Sequence, residues 1–175
     1  AAELMCGTYA ALCGWMRIIS LRFFTVYGPR QRPDLAIHSF TRRIMACEPV
    51  PFFGDGTAER DYTYITDTVQ GVLGAVDRTR TSAPGHEIFN LGESAVTARA
   101  APVQLIESAV GRTATLERLP AQPGEVRRTL ADSSRARTHL GYAPSVKVGD
   151  GIPRFVAWFR ESGIGADITS TVARG

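Results

Sequence analysis

The sequence predicts an α/β fold. Two apolar segments, residues 17–26 and 86–92, are typical of strands. Segments with helical spacing alternate with strands along the chain, and the sequence has no long series of hairpins. Because parallel strands are joined by crossovers that usually contain a helix, we expect both apolar strands in one mainly parallel sheet. With 44% apolar residues, the 175 residues can form a core, as one domain or as part of a larger one.

The first half of the chain begins with a helix and continues into strands. Residues 3–13 repeat apolar positions at helical spacing and are followed by Gly14, a residue suited to a helix C-terminus. Residues 17–26 are rich in β-branched and aromatic residues, which is typical of a strand covered on both faces. The elements predicted next are a loop over 27–34, a helix over 35–47 that ends before Glu48 and Pro49, and short strands over 50–53 and 60–65.

The second half alternates helices and strands again. Asp67 is placed to cap the helix that follows it, and Asp132 or Ser133 begins a helix that reaches His139. The other predicted elements are a strand over 86–92, a helix over 101–110, a strand over 114–119, a loop over 120–128, and a helix led by Asp150 with Ile152, Phe155, Val156 and Phe159 on one face. Residues 163–175 are small and polar, so we expect them to fray.

Composition and charge limit the kinds of partner that this protein can bind. The net charge is +3, and nineteen of the twenty basic residues are scattered arginines, so a small anion is a better partner than a nucleic acid. No apolar run approaches the roughly 18 residues that cross a bilayer, and the first residues lack the pattern of a signal peptide. We therefore expect a cytoplasmic protein that binds no membrane.

Cysteines and histidines do not indicate a metal site. Cys6, Cys13 and Cys47 are odd in number and form no Cys-x-x-Cys pair, so we expect buried thiols. The three histidines lie far apart in the sequence, with no carboxylate or cysteine at ligand spacing, and are expected to be structural. We predict no bound metal.

Residues 21–34 form the first candidate site. An apolar strand runs directly into a loop, and ligands of open α/β sheets bind beyond the carboxyl ends of strands. The side chains that this geometry offers to a ligand are Thr25, Tyr27, Arg30 and Arg32. A simple turn with two solvated arginines explains the same residues.

Two further stretches carry charged candidates. Arg60 follows a glycine turn within residues 52–67, where Asp61 would orient its guanidinium group for bidentate binding of a phosphate. An ordinary surface ion pair is the alternative. Residues 123–136 add Glu125, Arg127 and Arg128 in a loop. The sequence has neither a Gly-x-Ser-x-Gly elbow nor a glycine-rich phosphate loop followed by lysine, so hydrolase and P-loop functions are disfavoured.

Four motifs, taken in order and spacing, resemble one family. They are LRFFTVYGPRQRPD, PVPFFGDGTAERDYTYITD, HEIFNLG and PGEVRRTLADSSRARTHLGY, and they resemble the NAD-dependent epimerase/dehydratase family of extended short-chain dehydrogenases, above all its UDP-glucuronate 4-epimerases. The resemblance covers residues 1–162. It implies the C-terminal part of a Rossmann-type doubly wound sheet together with a small mixed α/β substrate-binding domain, followed by a flexible tail over 163–175.

Two signatures of that family are absent from these residues. The family is known for a Gly-x-x-Gly-x-x-Gly loop that binds NAD and for a catalytic Tyr-x-x-x-Lys pair, and none of the five tyrosines here has a lysine four positions on. The first residues, AAELMC, resemble the helix that follows the catalytic lysine. The resemblance therefore implies the C-terminal half of such an enzyme, with NAD as the cofactor of the whole and no catalytic residue in this half.

The resemblance also implies roles for individual residues. Phe24 would lie against the nicotinamide end of NAD. The implied substrate-binding residues are Thr25 for the sugar, Arg32 for a sugar carboxylate, Phe52 and Phe53 for the uracil ring, Arg60 for the diphosphate and Glu125 for the ribose hydroxyls. Thr25 combined with the Arg-Gln-Arg-Pro loop at 30–33 favours a uronic acid. Glu125 replaces the usual aspartate. Gln122 stands where UDP-glucose epimerases commonly have an arginine, which weakens the case for a neutral sugar more than the case for an acidic one.

The implied function is NAD-dependent inversion at C4 of a UDP-hexose, with UDP-glucuronate preferred. In that mechanism the sugar is oxidised at C4, the resulting 4-keto sugar rotates in the site, and hydride returns to its other face. A dehydratase or decarboxylase of the same family, a non-catalytic UDP-sugar-binding fragment and a truncated chain that folds poorly remain open. The family commonly dimerises through helices, one of which resembles residues 1–13, so a homodimer is expected.

Overall fold

The computed structural model describes residues 1–163, which form a mixed α/β structure as predicted. The helices in this part of the chain are α1 (Ala2–Leu12), α2 (Ala36–Met45), α3 (Ile65–Thr81), α4 (Ala100–Val110), α5 (Ser134–Leu140) and α6 (Val148–Glu161). The strands are β1 (Arg17–Phe23), β2 (Thr25–Tyr27), β3 (Val50–Phe53), β4 (Glu59–Arg60), β5 (Tyr62–Tyr64), β6 (Gly85–Leu91), β7 (Thr97–Ala98) and β8 (Leu116–Leu119). Residues 164–175, most of the segment predicted to fray, lie outside the described residues.

The chain folds into two compact units and passes repeatedly from one to the other. The first unit contains Ala1–Val26, Asp61–Ala95 and Leu130–Ser145. The second contains Tyr27–Arg60, Val96–Thr129 and the described residues from Val146 onward. None of the helices described in either unit has the length and apolar character needed to cross a bilayer.

The two apolar strands of the first unit pair as predicted. β1 and β6 are parallel over the full length of both strands. The strand predicted over 17–26 is nevertheless interrupted at Phe24. The Phe24 N–H donates to the Leu91 carbonyl at 3.2 Å, whereas the Thr25 N–H donates to the Asp61 carbonyl at 3.1 Å. The chain therefore changes its hydrogen-bonding partner at this point, which the apolar pattern alone did not predict.

The prediction that residues 17–26 are covered on both faces is wrong for β1. No residue of this strand is fully buried, and Phe23 is 51% exposed. Ile19 and Leu21 are partly buried against a core cluster in the first unit. Because the described part of this sheet has two strands, β1 has a partner on one side alone, and its polar positions Arg17 and Arg22 remain exposed.

The core cluster of the first unit joins α3, α5 and β6. Its buried members are Ala75, Phe89, Leu91, Ala136, Leu140 and Tyr142. α3 and α5 approach closely at Gly74, where an added Cβ atom would lie 2.3 Å from the Leu140 carbonyl oxygen. Since that oxygen belongs to the backbone, it cannot rotate away as a side chain would. Gly74 thus sets the distance between these two helices.

We expect Gly74→Ala to destabilise the protein although alanine is the better helix former. Alanine favours a helix interior over glycine by about 1 kcal/mol, but overpacking typically costs about 1–3 kcal/mol, and here the obstacle is backbone. Urea denaturation followed by circular dichroism should show a lower free energy of unfolding. Gly149→Ala is the matched control, because Gly149 lies in α6 with no atom within 4 Å of an added Cβ. Equal stability of the two variants would contradict the prediction.

α3 begins earlier than the sequence indicates. Asp67 was expected to cap this helix, but α3 starts at Ile65, directly after β5, and Asp67 lies in its first turn. The Asp67 side chain is buried, and it accepts hydrogen bonds from the Ser145 N–H at 3.2 Å and the Ser145 hydroxyl at 3.5 Å. The carboxylate therefore joins the start of α3 to a distant segment of the first unit, and the N-cap position of the helix belongs to Tyr64.

The core of the second unit is formed around α6, which packs on α4, and α4 packs in turn on α2. The predicted apolar face of α6 is confirmed: Ile152, Phe155, Val156 and Phe159 are at most 1% exposed. The helix begins at Val148, before the Asp150 expected to lead into it. His38 of α2 packs edge-on against Phe159 with ring centroids 5.0 Å apart, and burial lowers the pKa of its imidazole.

Candidate functional site

The candidate site lies in the second unit, where two parallel strands end together. β3 and β8 are parallel, with Phe53 opposite Leu119 at their carboxyl ends. The Gly54 N–H continues the pairing by donating to the Leu119 carbonyl at 2.9 Å. The loops that follow the two strands therefore leave the sheet at the same edge. This is the edge at which α/β proteins bind ligands.

A cavity of about 600 Å³ lies between these two loops. From the loop after β3 it is lined by residues 53–59, and from the loop after β8 by Ala121, Gln122, Glu125, Arg127 and Arg128. The lining combines one aromatic ring with charged groups of both signs. Such a combination suits a ligand that has a planar ring and an anionic group.

The loop after β3 has a fixed conformation. The Asp55 carboxylate accepts hydrogen bonds from the Thr57 hydroxyl at 2.6 Å and the Thr57 N–H at 2.9 Å, and these bonds lower the pKa of Asp55. Gly56 has a φ of 85°, and a Cβ atom added there would lie 3.0 Å from the Phe52 ring. The backbone conformation therefore favours glycine at this position, and a larger residue would also press against the Phe52 ring.

Arg60 and Glu125 are brought together by backbone pairing. The Glu59 N–H donates to the Arg127 carbonyl at 2.8 Å, and the Thr129 N–H donates to the Glu59 carbonyl at 3.1 Å. As a result Arg60 Nη2 lies 3.0 Å from Glu125 Oε1, and the two side chains are only 19% and 17% exposed. Two residues that the sequence analysis assigned to one ligand, 65 positions apart, thus form a half-buried ion pair.

Arg99 is a further member of this cluster that the sequence analysis did not identify. Its Nη1 lies 2.5 Å from Glu125 Oε1 and 3.4 Å from the Phe53 carbonyl oxygen. β7 precedes Arg99 and is antiparallel to β4, with Thr97 opposite Arg60. This register brings Arg99 near Arg60. No local motif around Arg99 would have revealed it.

The two neighbouring aromatic residues of β3 face different environments. Phe53 lines the cavity, whereas the Phe52 side chain is 3% exposed, with the Arg118 guanidinium carbon 5.9 Å from its ring centroid. Successive side chains of a strand point to opposite faces of the sheet, which accounts for this difference. Of the two residues expected to line a uracil pocket, the structure therefore brings Phe53 to the cavity and keeps Phe52 in the core.

Arg32 lies on an exposed part of the second unit. Its guanidinium group lies 3.0 Å from the Asp34 carboxylate, and its side chain is 73% exposed. An ion pair this exposed contributes little to stability, since solvent and salt screen it. Arg32 is consequently able to exchange Asp34 for a carboxylate of a ligand at small cost. It does not line the cavity between the β3 and β8 loops.

Phe24 and Thr25 belong to the first unit and are each half-buried. They lie directly after β1, at the carboxyl end of the parallel pair that it forms with β6. Phe24 offers an aromatic ring at this position, and Thr25 offers a hydroxyl group. Ligands of open α/β sheets bind at this end of the strands, so contact of Phe24 and Thr25 with a ligand stays a prediction.

Asp61 has a different role from the one expected for it. It was expected to orient Arg60, but the carboxylate that pairs with Arg60 is Glu125. The Asp61 carboxylate is fully buried and accepts three backbone N–H bonds, from Glu93 at 2.8 Å and from Ser94 and Ala131 at 3.0 Å. It therefore fixes two loops of the first unit.

The cysteine side chains are more exposed than expected, and His86 is hydrogen-bonded within the protein. Cys6 and Cys13 are half-buried and Cys47 is exposed, so the prediction of buried thiols is wrong. His86 shares a 2.8 Å hydrogen bond with the Ser20 hydroxyl. Within residues 1–163, no three side chains of the metal-ligating types lie close enough together to hold an ion.

Comparison with known proteins gives a consistent result. Residues 1–92 match the model of the NAD dependent epimerase/dehydratase family. The UDP-glucuronate 4-epimerase of Thermodesulfobacterium geofontis is 36% identical over 163 residues, a match that covers 92% of this chain and 48% of that protein. The chain spans about half the length of the curated relatives it matches.

Solved structures similar to this one include those of two 4-epimerases. The UDP-glucuronic acid 4-epimerase from Bacillus cereus, in complex with UDP-glucuronic acid and NAD, superposes with a TM-score of 0.83 at 35% identity, over 91% of this chain and 50% of that one. The UDP-glucose 4-epimerase from Thermotoga maritima, with UDP-glucose, superposes with a TM-score of 0.82 at 31% identity, over 91% and 51% of the two chains.

Proposed function

The chain belongs to the NAD-dependent epimerase/dehydratase family, and from this membership we propose that it supplies the nucleotide-sugar-binding half of a UDP-hexose 4-epimerase that prefers UDP-glucuronate. Similar proteins include a UDP-glucuronate 4-epimerase at 36% identity and another crystallised with UDP-glucuronic acid. Because the chain spans half of such proteins, the activity of a whole enzyme is part of the proposal.

The observation that carries the proposal is the Arg60–Glu125 pair at the edge where β3 and β8 end. A guanidinium group binds the oxygens of a diphosphate through two parallel hydrogen bonds, and a carboxylate accepts hydrogen bonds from ribose hydroxyls. Phe53 lines a cavity together with Glu125 and offers a ring on which uracil can stack, whereas Arg60 lines a second cavity that Glu125 also lines. These three side chains together match the parts of a uridine diphosphate.

The division of chemical roles follows from what the 175 residues contain. They include neither a Tyr-x-x-x-Lys pair nor a glycine-rich dinucleotide loop, so no proton transfer is assigned to this chain. The half-buried Phe24 ring after β1 fits a contact with one planar end of NAD. When bound, NAD supplies a reversible oxidant for the sugar carbon that is inverted. Arg60 and Glu125 hold the nucleotide, and binding energy away from the reacting carbon anchors the substrate while the hexose turns.

The proposal is tested by assaying the full-length protein, as its source makes it, with UDP-glucuronate and UDP-glucose. We expect NAD-dependent formation of the 4-epimer, with a higher kcat/KM for UDP-glucuronate. Release of water or carbon dioxide from the sugar would instead identify a dehydratase or a decarboxylase. Tight binding of UDP without turnover would reduce the proposal to a binding function.

The preference for an acidic sugar gives a separate prediction at Arg32. We expect Arg32→Ala to weaken the binding of UDP-glucuronate by at least about tenfold, because a charge-assisted hydrogen bond to the sugar carboxylate is lost. Binding of UDP-glucose should change little, since a neutral hexose offers no carboxylate. Isothermal titration calorimetry on the full-length protein measures both.

Arg30→Ala is the matched control, because it removes the same charge from the same loop. It should leave the ratio of the two affinities unchanged. If Arg32→Ala weakens both sugars equally, the assignment of Arg32 to the carboxylate is wrong, while the assignment of the nucleotide site stands.

A further inference from the structure

The Glu125 carboxylate is held by two arginines through a single oxygen. Arg60 Nη2 lies 3.0 Å from Oε1, and Arg99 Nη1 lies 2.5 Å from the same atom. Among the residues that the structure describes, Oε2 accepts no hydrogen bond. A carboxylate oxygen can accept about two, so Oε2 has its full acceptor capacity available to a ligand.

The two arginines differ in the cavity that they line and in how they are anchored. Arg60 and Glu125 both line a second cavity, of about 410 Å³, which also includes the turn over 122–124. Arg99 lines neither this cavity nor the larger one. Its N–H donates to the Ala58 carbonyl at 2.9 Å, and its guanidinium reaches the Phe53 carbonyl as well as Glu125. Arg99 is therefore anchored to both loops. The Arg60 and Arg99 side chains are exposed to a similar degree, 19% and 24%, but Arg60 is the arginine that lines a cavity together with Glu125.

The charges around Glu125 show why a second arginine is needed when a diphosphate binds. When a diphosphate takes the Arg60 guanidinium, Glu125 loses one of its two cations while an anion arrives beside it. With its side chain 17% exposed, Glu125 would then be a poorly solvated carboxylate next to a second negative charge. Arg99 removes this problem, because it remains bound to Oε1 and keeps Glu125 paired.

We infer that Arg99 is a positioning residue for nucleotide recognition. It holds Oε1 of Glu125 so that Oε2 accepts hydrogen bonds from the ribose hydroxyls while Arg60 turns to the diphosphate. The inference rests on the proposed function and adds a residue to it. Arg99 acts through Glu125 and does not itself touch the ligand.

The test compares the binding of UDP and of 2′,3′-dideoxy-UDP, which lacks the ribose hydroxyls, to the full-length protein by calorimetry. The wild type is expected to bind UDP at least about tenfold more tightly than it binds 2′,3′-dideoxy-UDP, because hydrogen bonds to a charged group contribute this much to the affinity. Arg99→Gln should lose about tenfold in UDP affinity and bring the ratio of the two affinities close to one. Arg99→Lys should recover much of the ratio, because an ammonium group keeps a charged donor for Oε1.

Arg112→Gln provides the control for a general effect on the fold. Arg112 is exposed, belongs to the same unit and also binds a backbone carbonyl, that of Met45. An unchanged ratio in Arg99→Gln, with wild-type binding of UDP, would overturn the inference and leave the proposed function intact. Equal weakening of both ligands would also overturn it and would assign Arg99 to the diphosphate or to loop structure. Absence of UDP binding in the wild type would overturn the proposed function and the inference together.

Discussion

Replacing Asp61 with alanine is expected to remove most of the stability of the first unit. The substitution leaves the N–H groups of Glu93, Ser94 and Ala131 without their acceptor. Asp61 itself is fully buried, and so are its bonds with Glu93 and Ala131. Each buried group left unsatisfied costs about 1–3 kcal/mol, and whole domains are stable by only about 5–15 kcal/mol. Urea denaturation followed by circular dichroism should show a loss of several kcal/mol or failure to fold.

The variant Asp61→Asn keeps the prediction measurable if the alanine variant does not fold. An amide has one acceptor oxygen where the carboxylate uses both, and its NH₂ group would face an N–H donor. We expect a clear but smaller loss of stability. Asp77→Asn is the matched control, because Asp77 is 76% exposed and pairs with Arg80 on the surface of α3. Equal melting temperatures of Asp61→Asn and Asp77→Asn would contradict the role assigned to Asp61.

Replacing Arg60 with glutamine is expected to weaken UDP binding by about a hundredfold. The substitution removes the guanidinium group proposed to bind the diphosphate, and losing a charged partner in a half-buried site costs about 2–5 kcal/mol. Uridine, which has no phosphate, should bind Arg60→Gln and the wild type almost equally. Calorimetry with UDP and uridine on the full-length protein separates the two contributions.

Two further variants make the result specific. Arg60→Lys should recover only part of the affinity, since an ammonium group cannot form the paired bonds of a guanidinium. Arg112→Gln should bind UDP like the wild type, because Arg112 lies on the surface and binds the Met45 carbonyl. If Arg60→Gln loses affinity for uridine as much as for UDP, the effect comes from a damaged cavity and the diphosphate role is wrong.

Elements with a regular apolar period were predictable from the sequence. The buried face of α6 follows from apolar residues spaced three and four apart, and the structure confirms it. The parallel pairing of β1 and β6 follows from two apolar segments separated by helices. Element boundaries were less predictable, as the early start of α3 shows: Asp67 lies in the first turn of that helix and accepts hydrogen bonds from the distant Ser145.

The candidate site was predictable only in part. The motifs singled out Arg60 and Glu125, and the structure brings both into one half-buried cluster. They did not reveal Arg99, which reaches Glu125 through the antiparallel register of β4 and β7. They also treated Phe52 and Phe53 alike, whereas the alternation of side chains along β3 buries the first and brings the second to the cavity.

The sequence by itself determined the fold class, the apolar face of α6 and the family, because these depend on residues close together in the chain or on motifs in a fixed order. Only the tertiary structure decided which charged groups pair. Arg60 binds Glu125 and Asp61 binds three backbone N–H groups, although Arg60 and Asp61 are adjacent. The physical reason is that neighbours in an extended segment point to opposite sides, so their partners are set by strand register and loop position and not by distance along the chain.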